Sequence, residues 1–180
     1  MSHIRNQIYI RFFEMKDAEA LLDLHLRNRE LFQKYSPTFP EDFYTLNSKN
    51  NDIMNSIKER TEDKKYSFGI FLKEDGILVG DVTLFHIFRG PLQKCLIGYS
   101  LDKQYNGRGF ATEAVSLVVE YALNELKLHR VEAGVMLTNI GSMRVLEKAG
   151  FYREGIEQKG VKINGNWEDH QIFAIVSDKN

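Results

Sequence analysis

The stretch Leu101 to Ala114, LDKQYNGRGFATEA, sets Gly107 and Gly109 on either side of Arg108, with Gln104 and Asn106 just before and an amphipathic run just after. A helix start leaves several backbone N–H groups unpaired and directed outward, and the macrodipole adds partial positive charge there, so anions settle at such ends. Two glycines remove the side chains that would keep a phosphate from those amides. Arg108 can add a charge-assisted hydrogen bond, and Gln104 and Asn106 can add polar contacts along the rim. A pyrophosphate is the expected occupant, and a tight turn without a ligand is the alternative reading of the same glycines. A dinucleotide fingerprint would need a third glycine where Thr112 stands, and a P-loop would need Gly-Lys-Ser/Thr, which is absent from the sequence.

Other reactive side chains are sparse. Cys95 lies in an apolar segment without a neighbouring histidine in sequence, which points to a small buried hydrophobe rather than a covalent carrier. His86, His129 and His170 lack metal-ligand spacing, so no metal is expected. With 180 residues and 43% hydrophobic content the chain can bury one sizeable core, and a single domain over 1–180 is expected. A formal net charge of −1 with no Lys/Arg block argues against a direct nucleic-acid partner. The single cysteine forms no intramolecular disulfide, and MSHIRNQIYIRFF lacks the apolar run of a signal peptide or membrane span. A soluble cytoplasmic protein without a membrane partner is the expectation.

The elements that must position these residues follow from periodicity. IYIRFF (8–13) reads as a strand, and Asp17 precedes a long first helix on which Ala18, Leu21, Leu22 and Leu26 share a face. An irregular aromatic stretch, Tyr35 to Tyr44, leads to a second helix over NNDIMNSIKERTED. Strands are predicted at 66–72, 77–88 and 94–101, a meander separated by turn signals. A helix follows from Ala111 to Lys127, then a strand at 130–137. A short helix comes next, with Asn139 as its cap and Gly150 as its left-handed stop, and two final strands meet at the Asn164-Gly165 turn.

The pattern Gln104-x-x-Gly107-x-Gly109-x-Ala111, with LD before it and a long helix after it, resembles the acetyl-CoA signature of the GNAT N-acetyltransferase superfamily. Asn139-x-x-Ser142 and LEKAGF (146–151) resemble its RimJ/RimL branch, as do NRELFQKYSP (28–37) and INGNWEDHQIFAI (163–175), so the likeness covers nearly the whole chain. It implies an α/β (α+β) fold, a mixed and mostly antiparallel sheet of about seven strands flanked by helices. Its two parallel central strands, here Cys95 to Leu101 and Arg130 to Leu137, would splay apart to admit the pantetheine arm.

The resemblance assigns contacts with acetyl-CoA, the acetyl donor, to Leu101, Gln104, Tyr105, Asn106, Gly107, Arg108, Gly109, Ala111, Thr112, Asn139 and Ser142. An amide on the strand ending at Leu101 would polarise the thioester carbonyl. Asn139 is either a helix cap, a pantetheine contact or both, and Ser142 is either a backbone-bonded hydroxyl or the acid that protonates the departing thiolate. The tyrosine that serves as acid in other members would fall near Leu146, and a RimL-type glutamate near Val161, so neither group is present. Glu132, Glu154 and His86 remain as bases acting through water. The implied acceptor is a protein N-terminal α-amine of the ribosomal type, taken up by a monomer or homodimer. A small amine (polyamine, amino acid or aminoglycoside) and a non-catalytic acyl-CoA sensor are the alternatives. Tyr35 to Tyr44, together with the turn before Trp167, would either wall the acceptor pocket or serve as core or lid packing.

Overall fold

In a computed structural model that describes residues 6–178, the strands are β1 (Ile8–Phe12), β2 (Tyr66–Leu72), β3 (Leu78–Phe88), β4 (Lys94–Leu101), β5 (Arg130–Met136), β6 (Tyr152–Ile163) and β7 (Asn166–Val176). Among the described residues they form one sheet in the order β1-β2-β3-β4-β5-β7-β6. The β4–β5 pair is parallel and the remaining neighbours are antiparallel. Five helices accompany it, α1 (Ala18–Arg27), α2 (Arg29–Lys34), α3 (Leu46–Thr61), α4 (Phe110–Asn124) and α5 (Ile140–Lys148), again among the described residues. This is the expected mixed sheet flanked by helices.

Alternation along the strands divides the apolar residues between two faces. Val82 and Leu84 of β3 and Ile97 and Leu101 of β4 join Ala114, Val115 and Val118 of α4 in the larger core, which also takes Met143 and Leu146 of α5. Each fully buried Val, Leu or Phe there contributes about 1.5–3 kcal/mol. Leu21 and Leu24 of α1, Ile53 of α3, Phe71 and Leu78 form a smaller core on the opposite face.

Several element boundaries depart from the periodicity. The long first helix breaks at the buried Asn28, whose φ of −114° and ψ of 17° leave the helical region. Its Nδ2 donates to the Leu24 carbonyl at 3.0 Å, and its Oδ1 accepts the Lys103 amide at 3.0 Å. A tertiary bond thus holds the break against the loop after β4. Helix α3 starts at Leu46, ahead of the predicted Asn50, because Thr45 Oγ1 accepts the Ser48 amide at 3.1 Å. Helix α4 stops at Asn124, short of Lys127, which takes φ +56°. β6 extends to Ile163 and meets β7 across Asn164 (φ +47°) and Gly165 (φ +86°), the two left-handed residues of a tight hairpin.

Candidate active site

β4 and β5 pair only at Lys94–Arg130, Cys95–Val131 and Leu96–Glu132. Beyond that point β4 continues beside β3 to Leu101, and β5 continues beside β7 to Met136. The facing edges of Ile97 to Leu101 and Ala133 to Met136 therefore diverge, and their amides and carbonyls can pair with an amide-bearing ligand laid between them. This is the predicted splay, and its position follows from the register.

The β4 edge runs directly into the glycine loop. Asp102, buried after Leu101, accepts the Gln104 amide at 3.1 Å and the Arg27 Nε at 2.6 Å, fixing a 3-10 turn over Lys103–Tyr105. Burial works against its charge, but the Arg27 and Gln104 bonds prevail and hold the carboxyl below its ordinary value. Asn106 is extended, Gly107 and Gly109 take φ of +79° and +83°, and α4 opens at Phe110 with no side-chain cap. A Cβ on either glycine would meet nothing within 4 Å, so the backbone conformation, rather than crowding, demands glycine. Ala111 and Thr112 occupy the first turn of α4, where amides have no intrahelical partner. The Arg108 guanidinium rests over the Tyr105 ring at 5.2 Å.

Across the splay, Asn139 caps α5 by accepting the Ser142 amide at 3.2 Å, and Gly150 takes φ +94° after its end. Ser142 Oγ lies 2.6 Å from the Tyr99 hydroxyl, which also donates to the Ser142 carbonyl at 3.0 Å. Burial pushes the Tyr99 phenol up to about 12, so it stays protonated at neutral pH. Tyr99 is a site residue that sequence reasoning missed, since its partner is 43 positions away. Leu146, near which the resemblance would place an acid, is fully buried.

The candidate bases are constrained. Burial opposes ionisation of Glu132, yet bonds from Arg130 at 2.6 Å and Lys94 at 3.1 Å hold its carboxyl below the usual range. Glu154 is tied to Arg130, with Nη1 to Oε1 at 2.9 Å. His86 sits exposed at a register shift in β3 with φ +49°. Val161 lies at the second of two register shifts in β6. Cys95 is buried, and desolvation pushes its thiol up to about 12.

The aromatic stretch packs against α1, and the terminal hairpin is tied to α2. Phe39 and Phe43 stack at 4.0 Å, and Phe43 stacks on His25 at 5.1 Å. Gln33 of α2 donates to Asn164 Oδ1 at 3.0 Å, and Asn164 Nδ2 returns a bond to the Gln33 carbonyl at 3.1 Å, so α2 and the β6–β7 turn are joined. Trp167 beside that turn is 60% exposed. Among the described residues no group of three or more His, Cys, Asp or Glu side chains is placed to hold a metal ion, and no helix is long and apolar enough to cross a membrane.

Comparison with known proteins agrees with this geometry. The family described as Acetyltransferase (GNAT) domain matches residues 7–152, and the chain belongs to that family. It is 54% identical over 170 residues to "Probable N-acetyltransferase YjcK" of Bacillus subtilis, covering 94% of each chain. The ribosomal-protein-S5-alanine acetyltransferase of Vibrio fischeri superposes with a TM-score of 0.92 at 27% identity, over 97% of this chain and 95% of that one. RimJ of Mycobacterium smegmatis, solved in complex with CoA-disulfide, superposes with a TM-score of 0.90 at 27% identity, over 96% of this chain and 83% of that one.

Proposed function

We propose that this GNAT-family N-acetyltransferase moves the acetyl group of acetyl-CoA directly onto the N-terminal α-amine of a protein, of the ribosomal type. The observation that carries the reading is continuity. The open edge of β4, the left-handed glycines and the uncapped start of α4 form one uninterrupted run from the Tyr99–Ser142 pair to a helix end whose free amides suit an anion. The diphosphate of acetyl-CoA would lie against the amides from Gly107 to Thr112, and Arg108 would leave the Tyr105 ring to reach it. The pantetheine amides would pair with the diverging strands, alongside Leu101 and Asn139, and a β4 amide would polarise the thioester carbonyl. Ser142 would protonate the departing thiolate, with Tyr99 orienting its hydroxyl. Transfer is direct because the Cys95 thiol, buried and pushed up to about 12, supplies almost no thiolate at neutral pH.

Two points support an α-amine acceptor. The Vibrio fischeri neighbour is named for the alanine of a ribosomal protein. In addition, the candidate bases here are the ion-paired carboxylates Glu132 and Glu154 and the exposed imidazole of His86. An α-amine has a reference pKa of about 7.7–8.0 against about 10.4 for lysine, a difference worth roughly 3.5 kcal/mol in deprotonation. A weak base therefore favours the α-amine. The test is thiol release and product mass with two versions of one peptide, one with a free N-terminus and blocked lysine, the other reversed. Preferential turnover of the free N-terminus is expected. Turnover of the lysine version, or of a polyamine alone, would refute the α-amine reading.

A further inference from the structure

Beyond Leu96 the two edges of the splay separate, and side-chain alternation gives each a side that faces away from α4 and α5. On β5 that side carries Gly134 and Met136, since Ala133 and Val135 enter the larger core. On β4 it carries Gly98 and Ser100, whose hydroxyl donates to Asp81 of β3, while Tyr99 turns the other way to Ser142. Gly134 is the exposed residue of β5. On the face opposite the Tyr99–Ser142 pair, the splay is thus bordered by two glycines, and a thioester laid there would be open to attack.

One side chain leans toward that gap from the next strand. β7 pairs with β5 through Gly134–Ile172 and Met136–His170, which sets His170 on the same face as Gly134. A Cβ built on Gly134 would stand 3.8 Å from His170 Cδ2, the ring carbon bonded to Nε2, so the imidazole turns its Cδ2–Nε2 edge toward the splayed strand. Its other edge is fixed, because Nδ1 lies 3.1 Å from the Glu168 carbonyl. A carbonyl oxygen only accepts, so Nδ1 carries the proton and, in the neutral ring, Nε2 keeps its lone pair. Nε2 has no hydrogen-bond partner among the described residues, and although His170 is only 6% exposed, that nitrogen is not sealed from solvent.

The carboxylates on the same face are otherwise engaged. Glu132, two positions before Gly134, is held by Arg130 and Lys94. Glu157, opposite His170 on β6, turns its carboxylate toward Gly160. Glu168 meets the ring through its main chain.

Resting on the acetyl-transfer reading above, we propose that His170 is the base of the reaction, its Nε2 taking the proton that the acceptor nitrogen sheds as it attacks past Gly134. The lone pair of the neutral amine forms the C–N bond to the thioester carbon, and Nε2 takes a proton from that nitrogen. The C–S bond breaks with its electron pair on sulfur, and Ser142 protonates the thiolate from the opposite face. Exchange with water removes the proton from His170 and restores the Ser142 hydroxyl, so one proton has passed from nitrogen to sulfur overall. Base and acid thus approach the thioester from the two faces of the splay.

The experiment uses purified full-length protein and acetyl-CoA, with the free-N-terminus peptide and a small primary amine in parallel. Single-turnover acetyl transfer is followed for whichever acceptor the wild type uses, and acetyl-CoA Kd is measured by calorimetry. His170→Asn removes the basic nitrogen while its side-chain amide keeps a donor for the Glu168 carbonyl. That variant and His170→Ala are both expected to lose roughly 100-fold or more in transfer rate, with the acetyl-CoA Kd unchanged. A wild-type rate in folded His170→Asn protein overturns the assignment and makes His170 a structural residue, while leaving acetyl transfer intact. A loss confined to acetyl-CoA affinity overturns it in the same way. Wild-type protein that binds acetyl-CoA and acetylates no amine overturns the acetyl-transfer reading and this assignment together. If neither His170 variant folds, Gly134→Val decides. Its Cβ makes only ordinary contacts, its branches fill space between the ring and the splay, and an unchanged transfer rate there refutes the assignment.

Discussion

Replacing Gly109 separates the two roles its glycine can have. Gly109 holds φ +83° at the start of α4, and a Cβ there meets nothing within 4 Å. Any L-residue at this position therefore carries the left-handed penalty and little else, about 1–2 kcal/mol. For a domain of this size that corresponds to a Tm decrease of roughly 2–8 °C. Gly109→Ala and Gly109→Glu should show similar decreases, since neither side chain meets a neighbour. Acetyl-CoA affinity should then distinguish them. A carboxylate about 6 Å from one phosphate charge, at an effective dielectric of about 20, is opposed by about 2.8 kcal/mol, or roughly 100-fold in Kd. The alanine variant lacks that charge and should lose far less. Calorimetry with acetyl-CoA gives both values, and raising the salt should narrow the gap between the variants if it is electrostatic. Equal Kd values for wild type and a folded Gly109→Glu protein would refute the diphosphate assignment and leave Gly109 as a turn residue.

Two further outcomes follow from the site. Ser142→Ala should slow single-turnover acetyl transfer by roughly 10- to 100-fold with little change in acetyl-CoA Kd, and Tyr99→Phe should fall between it and wild type; a change in Kd alone would make Ser142 a binding residue. Asp102 and Asp81 should respond oppositely to pH. The Asp102 carboxyl lies below its ordinary value, so its contribution is present above the unfolded pKa of about 3.9 and disappears as pH falls through the folded value. Asp81 lies above its ordinary value, so ionising it costs stability as pH rises from about 3.9 through the folded pKa. Thermal melts at pH 7 should accordingly show Asp102→Asn destabilised by about 1–3 kcal/mol and Asp81→Asn at least as stable as wild type. Both differences should shrink in melts near pH 4, and destabilisation by Asp81→Asn at pH 7 would contradict a carboxyl that burial holds above its ordinary value.

Local signals in the chain were sufficient where the structure uses local physics. The cap and stop of α5 at Asn139 and Gly150, the left-handed pair Asn164–Gly165 and the left-handed glycines before α4 each depend on residues within a few positions of one another. The break at Asn28 was invisible for the opposite reason. Leu21, Leu22 and Leu26 keep helical spacing into it, and what stabilises the nonhelical Asn28 includes a bond to the amide of Lys103, 75 positions away. The periodicity likewise favoured a longer α4, because Leu126 continues the apolar face although the backbone turns left-handed at Lys127. Burial of a side chain does not require the helix to reach it.

The chemistry divides along the same line. The half of the site proposed to hold the diphosphate occupies one continuous stretch, Leu101 to Thr112, and so leaves a motif. Two polar pairs are instead brought together by the sheet, Tyr99 with Ser142 and Asp81 with Ser100, at separations of 43 and 19 residues. Neither pair has a spacing that a helix or a turn would impose, and each member alone resembles an ordinary strand or helix residue. Register supplies the missing information. Once Asp81 is opposite Ser100 and the β4–β5 ladder ends at Leu96, alternation requires that consecutive β4 residues reach opposite faces of the splay. The two pairs then need no common motif, since one strand carries a member of each, and a one-residue slip of β4 against β3 would exchange their faces and dismantle both pairs.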